Sequence, residues 1–118
     1  MRSELEALAT ERFVSLTTFR RSGDRVSTPV WIARDGDNLL VTTPAEAGKV
    51  KRLRNSTRIE LQPCGRFGKV SGRITKANAT IEEQTDALTA IFRKKYKLEY
   101  QLFTTFERGG ERLILRVS

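Results

Sequence analysis

Three β-rich runs near the start of the chain, separated by two turn-forming tripeptides, constrain the fold most strongly. The runs cover residues 13–20, 25–33 and 38–43, with SGD and DGD between them. β-Branched, aromatic and aliphatic residues fill the runs, and Gly beside Ser or Asp is typical of tight reversals between antiparallel neighbours. The pattern therefore predicts an antiparallel meander. Because Pro29 in the second run has no amide proton, it indicates an edge strand, a bulge or the approach of a ligand to the backbone.

The rest of the chain adds strands and helices to this meander. Strands are predicted at 57–64, 69–78 and 111–118, and helices at 3–11, 47–55, 80–96 and within 97–110. Thr80 and Glu83 fit a capping box at the start of the helix at 80–96, and the last helix is predicted to end at Gly109 and Gly110. Six strands with helices inserted among them predict a mainly β domain of the α+β class, built as a small six-stranded antiparallel barrel.

Length and composition indicate one folded unit. The chain has 118 residues, 38% of them hydrophobic and 31% charged, which suits a domain with a single core. We find no internal repeat, and no apolar run reaches the roughly 18 to 20 residues needed to cross a bilayer. The first residues are acidic and amphipathic, unlike a signal peptide. Residues 1–118 therefore predict a single domain in the cytoplasm.

The absence of histidine excludes several classes of chemistry. The chain contains no His and one Cys, so Ser-His-Asp and Cys-His catalysis, histidine-ligated zinc and proximal-histidine haem are excluded. No metal site is predicted, and no residue is assigned a catalytic role. A bound group must then supply most of any chemistry, and the net charge of +8 favours an anionic partner.

A basic segment after the third run is the strongest candidate for holding that anion. Residues 49–58 contain five cations and no acid, namely Lys49, Lys51, Arg52, Arg54 and Arg58. The segment begins the predicted helix at 47–55, and a helix N-terminus presents unpaired amides and partial positive charge to a phosphate. Thr42 and Thr43, which carry hydroxyl groups, are the last residues of the preceding predicted strand, and Pro44 begins the turn. We therefore expect these groups to converge with Lys49 and Arg52 on one small volume.

Three interpretations of the basic segment remain open from its spacing. It is a solvated helix face, a seat for a phosphorylated cofactor, or a surface for nucleic acid. Lys51 and Arg54 lie on the other flank of the helix, where they either extend the positive potential along a longer anion or keep the helix soluble. No aromatic residue lies between Trp31 and Phe67, whereas readers of single-stranded nucleic acid usually interleave aromatics with cations. Nucleic acid is therefore the disfavoured partner.

Several stretches, taken in order, resemble the pyridoxamine 5'-phosphate oxidase-like split β-barrel proteins, and in particular their short branch that uses the deazaflavin coenzyme F420. The stretches are the three runs with TPVW in the second, then AGKVKRLRNSTRIELQPC, and finally ERLILRVS at the end. The resemblance implies a homodimeric split barrel of the FMN-binding type, with the coenzyme in a groove between subunits. It also implies an oxidoreductase that transfers hydride between the reduced deazaflavin and a small organic substrate.

The resemblance also implies roles for individual residues. Thr42, Thr43, Lys49 and Arg52 would meet the phosphate-bearing side chain of the coenzyme, and the strand Thr28, Pro29, Val30, Trp31 would lie along its rings. Flavin-binding relatives carry Ser-Arg-Lys where this chain has Ala47, Gly48 and Lys49, so FMN is the alternative cofactor. A second basic cluster, Arg66, Lys69 and Arg73, reaches the coenzyme tail in a dimer or is ordinary surface. Water, Tyr96 or Tyr100 would donate a proton to the product.

Overall fold

A computed structural model of the chain describes residues 1–106 and 110–118, with the side chains of 103–106 left aside. The described part contains seven strands and four helices. The strands are β1 Val14–Phe19, β2 Arg25–Val30, β3 Ile32–Asp35, β4 Asn38–Pro44, β5 Arg58–Pro63, β6 Thr75–Glu83 and β7 Arg112–Val117. The helices are α1 Ser3–Leu8, α2 Gly48–Asn55, α3 Asp86–Tyr96 and α4 Leu98–Phe106. No described helix is long and apolar enough to cross a membrane.

The strands form one antiparallel sheet whose two edges meet. Their order is β2-β1-β5-β6-β7-β4-β3, so β2 and β3 occupy opposite ends. Only Trp31 separates these two strands along the chain, and the sheet must therefore curl until its edges come together there. Pairing with β1 stops at Val30, opposite Val14, and pairing with β4 begins at Ile32, opposite Val41.

Strand β6 connects the two halves of the curled sheet. Its first residues pair with β5, from Thr75 opposite Leu61 to Asn78 opposite Arg58. Its later residues pair with β7, from Ala79 opposite Val117 onward. One strand thus takes part in both halves of the sheet.

Two apolar clusters lie on either side of the sheet. The larger one fills the inside of the curl, where alternate residues of β1, β4, β5 and β7 are buried against Leu5 and Leu8 of α1 and Leu53 of α2. The smaller one places Ala33, Leu40 and Ile114 under the aromatic side chains of α3 and α4, which are Phe92, Tyr96 and Tyr100. This second cluster anchors the helices beside Trp31.

The number of strands differs from the prediction. The sequence predicts a six-stranded barrel with a single run at 25–33, whereas the described residues form one open sheet of seven strands, because Trp31 interrupts that run and leaves β2 and β3 at opposite ends. The amide of Ile32 donates to the hydroxyl of Tyr96 at 2.9 Å instead of continuing the β2 ladder. The break therefore involves a helix more than sixty residues away, and the local sequence does not signal that contact.

The boundary between β6 and α3 also differs from the prediction. Residues 80–83 belong to β6, and α3 begins at Asp86 with Thr85 as its cap, whose hydroxyl accepts from the amide of Leu88 at 3.3 Å. Thr80 and Glu83 do not form a capping box, because both residues lie in β6 and pair with β7. A helix at 98–106 is confirmed, and its predicted end at Gly109 lies outside the described residues.

Candidate functional site

A cavity of about 690 Å³ lies where the two edges of the sheet meet. This volume is ordinary for a small-molecule site. One part of the wall is formed by the β2–β3 junction, the end of β4, the first turn of α2 and the start of β7. The other part is formed by the residue before β1, the loop after β5, and α4. The lining residues are Phe13, Pro29, Val30, Trp31, Thr42, Pro44, Lys49, Arg66, Glu99, Leu102 and Arg112.

Lys49 supplies a cation without a counter-ion to this cavity. Its side chain is half-buried in the first turn of α2, and within residues 1–106 and 110–118 its ammonium makes no hydrogen bond or ion pair. Burial, followed by the nearby positive charges of Arg52 and Arg112, lowers the pKa of Lys49. All three causes penalise the charged form, and attraction to a bound anion would offset them.

The helix that carries Lys49 begins without a side-chain cap. Ala47 occupies the cap position and its side chain accepts no hydrogen bond, while the amide of Val50 donates to the carbonyl of Ala47 at 3.1 Å. The first turn of a helix presents amide donors and partial positive charge. The ammonium of Lys49 therefore lies where the backbone also favours an anion.

Arg112 is a second cation in the wall, and a chain of hydrogen bonds fixes it there. Its Nε donates to Thr42 Oγ1 at 3.1 Å, and that hydroxyl donates to Gln84 Oε1 at 2.7 Å. Gln84 Nε2 in turn donates to Thr89 Oγ1 at 3.0 Å. Because the Thr42 hydroxyl already donates its proton to Gln84, Thr42 acts on this site mainly by orienting Arg112.

The apolar part of the wall is centred on Trp31. Its ring is half-buried and parallel to the ring of Tyr96, with centroids 4.1 Å apart and planes 7° from each other. Pro29 lies on the edge strand β2, which is one of the three alternatives that the sequence left open, and Val30 beside it is buried. A flat ring system would thus find an apolar surface within the same cavity as Lys49.

The carboxylate of Glu99 lies in a further part of the wall, beside two arginines. Glu99 forms an ion pair with Arg12, and Arg66 Nη2 lies 3.9 Å from its second oxygen. The guanidinium of Arg66 also lies over the ring of Phe13, 5.5 Å from its centre. Glu99 is the one acid among the described lining residues, so Arg12 and Arg66 share one carboxylate here, whereas Lys49 has no counter-ion among the described residues.

Six of the ten residues predicted from the sequence line the cavity, and they are Pro29, Val30, Trp31, Thr42, Pro44 and Lys49. The other four lie elsewhere. Thr43 is buried, with its hydroxyl donating to the carbonyl of Pro44 at 3.3 Å. Lys51 is exposed on the outer side of α2. Arg52 Nε donates to Thr18 Oγ1 at 2.6 Å. Thr28 precedes Pro29 in β2, and its hydroxyl oxygen is buried.

Sequence reasoning did not assign five lining residues to the site, namely Phe13, Arg66, Glu99, Leu102 and Arg112. For Arg66 the sequence predicts only membership of a second basic cluster that reaches the coenzyme tail in a dimer or is ordinary surface. Arg112 pairs with Pro44 across β4 and β7, and that register is what brings it beside Lys49. No local pattern around Arg112 signals such a contact, so the strand pairing had to be known first.

Tyr96, one of the two tyrosines considered as proton donors, is deeply buried. Tyr96 is 2% exposed, and its hydroxyl accepts from the amide of Ile32 and donates to the carbonyl of Arg12 at 2.7 Å. Burial raises the pKa of Tyr96 to about 12. A buried hydroxyl whose proton is held by a backbone carbonyl is not placed to protonate a ligand, which argues against this role for Tyr96.

Comparisons with known proteins give a fold and no close relative. No protein-family model matches the sequence, and no curated protein matches it significantly. Among solved structures, an F420 reductase is 16% identical with a TM-score of 0.64, covering 99% of this chain and 94% of its own. A provisionally named pyridoxamine 5'-phosphate oxidase from Listeria innocua is 14% identical with a TM-score of 0.65, covering 98% and 89%.

The solved relatives do not share one function. The heme storage protein HutZ from Vibrio cholerae is 12% identical with a TM-score of 0.68, covering 100% of this chain and 90% of its own. All three similarities extend over nearly the whole chain, at identities that show a common fold only. The chain therefore has the split-barrel fold of the pyridoxamine 5'-phosphate oxidase-like proteins.

Proposed function

We propose that this chain is an oxidoreductase that binds coenzyme F420 in the cavity and transfers hydride between the reduced deazaflavin and a small organic substrate. One observation carries the proposal. The ammonium of Lys49, which has no counter-ion among the described residues, shares a cavity of about 690 Å³ with Arg112 and the apolar Trp31 wall. A phosphorylated coenzyme with a flat ring needs both features together, and the similarity to an F420 reductase supports this choice.

The lining residues fit such a coenzyme by their chemistry. Lys49 and Arg112 would hold a phosphate or carboxylate with charge-assisted hydrogen bonds. Pro29, Val30 and Trp31 would lie against the ring and exclude water from one side of it. When bound, the coenzyme supplies the hydride chemistry itself, so a chain without histidine needs only to bind and orient the reactants.

FMN is the second candidate, and the same charges favour it. Lys49, with Arg112 beside it in the wall, would meet the one phosphate that FMN offers. The deazaflavin coenzyme carries further acidic groups on its tail, and the net charge of +8 would accommodate them. Nucleic acid is a weaker candidate, because Lys49 and Arg112 lie within a cavity of small-molecule size that also has an apolar wall.

We also propose that the chain is a homodimer with the cavity at its interface. Several large apolar side chains are exposed on segments that line the cavity or adjoin it. Phe67, next to Arg66, is 94% exposed, and Leu98 and Leu102 of α4 are 73% and 58% exposed. A second copy would bury them. Light scattering should give twice the 13.4 kDa mass of one chain, and a monomer would refute the interface.

A fluorescence titration tests the proposed function directly. Purified protein is titrated with F420, FMN and a short duplex DNA, each at low and high salt. Micromolar or tighter binding of F420 that persists at high salt would support the proposal, and the same result with FMN alone would favour the flavin alternative. Binding to DNA alone, lost steeply with salt as phosphate contacts demand, would refute an oxidoreductase.

A further inference from the structure

The ring of Trp31 is placed in the cavity wall at a point where the sheet does not hold it. Register with β1 ends at Val30 and register with β4 begins at Ile32, so Trp31 lies between two ladders. A residue outside a ladder keeps more conformational freedom than its neighbours. Some other part of the molecule must therefore keep this ring in the wall.

Tyr96 contacts both the ring of Trp31 and the backbone that follows it. The two rings are parallel with centroids 4.1 Å apart. The Tyr96 hydroxyl accepts from the amide of Ile32 at 2.9 Å, and it lies 3.1 Å from the carbonyl of the same residue. Tyr96 itself is 2% exposed and is not among the residues that line the cavity.

The neighbouring lysine strengthens this attachment. Lys95 Nζ donates to the carbonyl of Ile32 at 2.5 Å, and to the carbonyls of Glu11 and Ala9 at 2.6 and 3.0 Å. Both polar groups of the Ile32 backbone are thus bound by side chains of α3. The helix replaces, at this one residue, the hydrogen bonds that a continuous strand would have made.

We propose that Tyr96 is a positioning residue that holds the ring of Trp31 in the cavity wall, and thereby sets the affinity of the cavity for a flat coenzyme ring. The first half concerns the protein alone. The second half rests on the proposed function. Tyr96 acts through Trp31 and the Ile32 backbone, so its hydroxyl can matter to a ligand that it never touches.

Two tyrosine variants separate this role from a general effect on stability. Tyr96→Phe removes the hydroxyl and keeps the stacked ring. Tyr100→Phe makes the same chemical change in a residue whose ring also contacts Trp31, at 6.3 Å, but whose hydroxyl has no hydrogen bond among the described residues. Because Trp31 is the one tryptophan of the chain, acrylamide quenching and fluorescence anisotropy report on this ring without a ligand.

The expected result is a difference between the two variants. Tyr96→Phe should make Trp31 more mobile and more easily quenched, and should weaken the binding of F420 or FMN about fivefold, as for one lost hydrogen bond. Tyr100→Phe should leave quenching and affinity within about a factor of two. Should Tyr96→Phe fail to fold, Lys95→Met, which removes the lysine donor to the Ile32 carbonyl and keeps the Tyr96 ring, is expected to give the same two effects.

Each contrary outcome would overturn one of the two halves of the proposal. Unchanged quenching in Tyr96→Phe, or an equal rise in Tyr100→Phe, would overturn the positioning role. A mobile Trp31 with unchanged coenzyme affinity would overturn its link to binding. If the wild-type protein binds neither coenzyme, the proposed function fails together with that link, while the quenching data still decide whether Tyr96 holds the ring.

Discussion

Replacing Lys49 by glutamine tests the anion site most directly, and Lys51→Gln is its matched control. Both lysines are in α2, two positions apart, yet Lys49 lines the cavity and Lys51 is exposed on the outer side. The two substitutions remove the same charge from the same helix. Any difference between them therefore reports on the place of the charge and not on the net charge of the protein.

The magnitude follows from the contacts that Lys49 can make. Since its ammonium has no partner among the described residues, its removal breaks no bond of the unliganded protein, and the whole loss should appear in binding. A hydrogen bond to a charged group contributes about 1.5 to 3 kcal/mol, which corresponds to a dissociation constant about 10- to 150-fold larger. Lys51→Gln should change it by less than about threefold, as exposed charges do.

Fluorescence titration of both variants with F420 and with FMN, at matched ionic strength, measures this difference. Thermal unfolding of each variant shows that the fold is kept, and Lys49→Gln should be at least as stable as wild type because a half-buried, unpaired charge is removed. Equal affinities of the Lys49 and Lys51 variants, with wild-type protein binding normally, would refute the reasoning. The anion would then lie elsewhere.

Three further results are expected. Binding of a phosphate ligand should raise the lowered pKa of Lys49. The affinity should therefore be highest below the pKa that Lys49 has in the unliganded protein, and it should fall as the pH rises above that pKa. Lys49→Gln should flatten this pH profile, because the arginines stay charged. Thr85→Ala should lower the free energy of unfolding by about 1 kcal/mol in a urea titration, since it removes the cap of α3. Lys95→Met should lower it by about 1.5 to 3 kcal/mol, because three backbone carbonyls lose a charged donor; an unchanged urea midpoint would contradict either stability effect.

The parts of the fold that local patterns determine were predicted correctly. The runs at 13–20 and 38–43 coincide closely with β1 and β4, and the basic helix at 47–55 coincides with α2. In each case the periodicity of the apolar residues and the flanking turn residues act within a few positions of each other. Residues 80–83 fit a helix start equally well in isolation, and only their pairing with β7 decides that they are a strand.

The candidate site shows the same division between local and distant causes. Lys49 could be found because a helix start, a basic run and a preceding strand end lie within ten residues. Arg112 could not, because its place beside Lys49 depends on the pairing of β4 with β7. Arg52 fits the same helical spacing as Lys49, but its guanidinium is directed to Thr18 of β1, a contact that spacing within α2 does not reveal.

The interruption of the sheet at Trp31 connects the fold to the proposed function. A continuous strand from 25 to 35 would make its backbone hydrogen bonds along one ladder, with no interruption at Trp31. Here Pro29 brings no amide to the edge of β2, Trp31 lies outside both ladders, and α3 provides the hydrogen bonds for Ile32. The curled sheet therefore has a concave, largely apolar wall at the meeting of its edges while both polar groups of the Ile32 backbone keep hydrogen bonds. Since the same helix supplies the aromatic ring under Trp31, variants that loosen α3 should weaken coenzyme binding even where no cavity residue is changed.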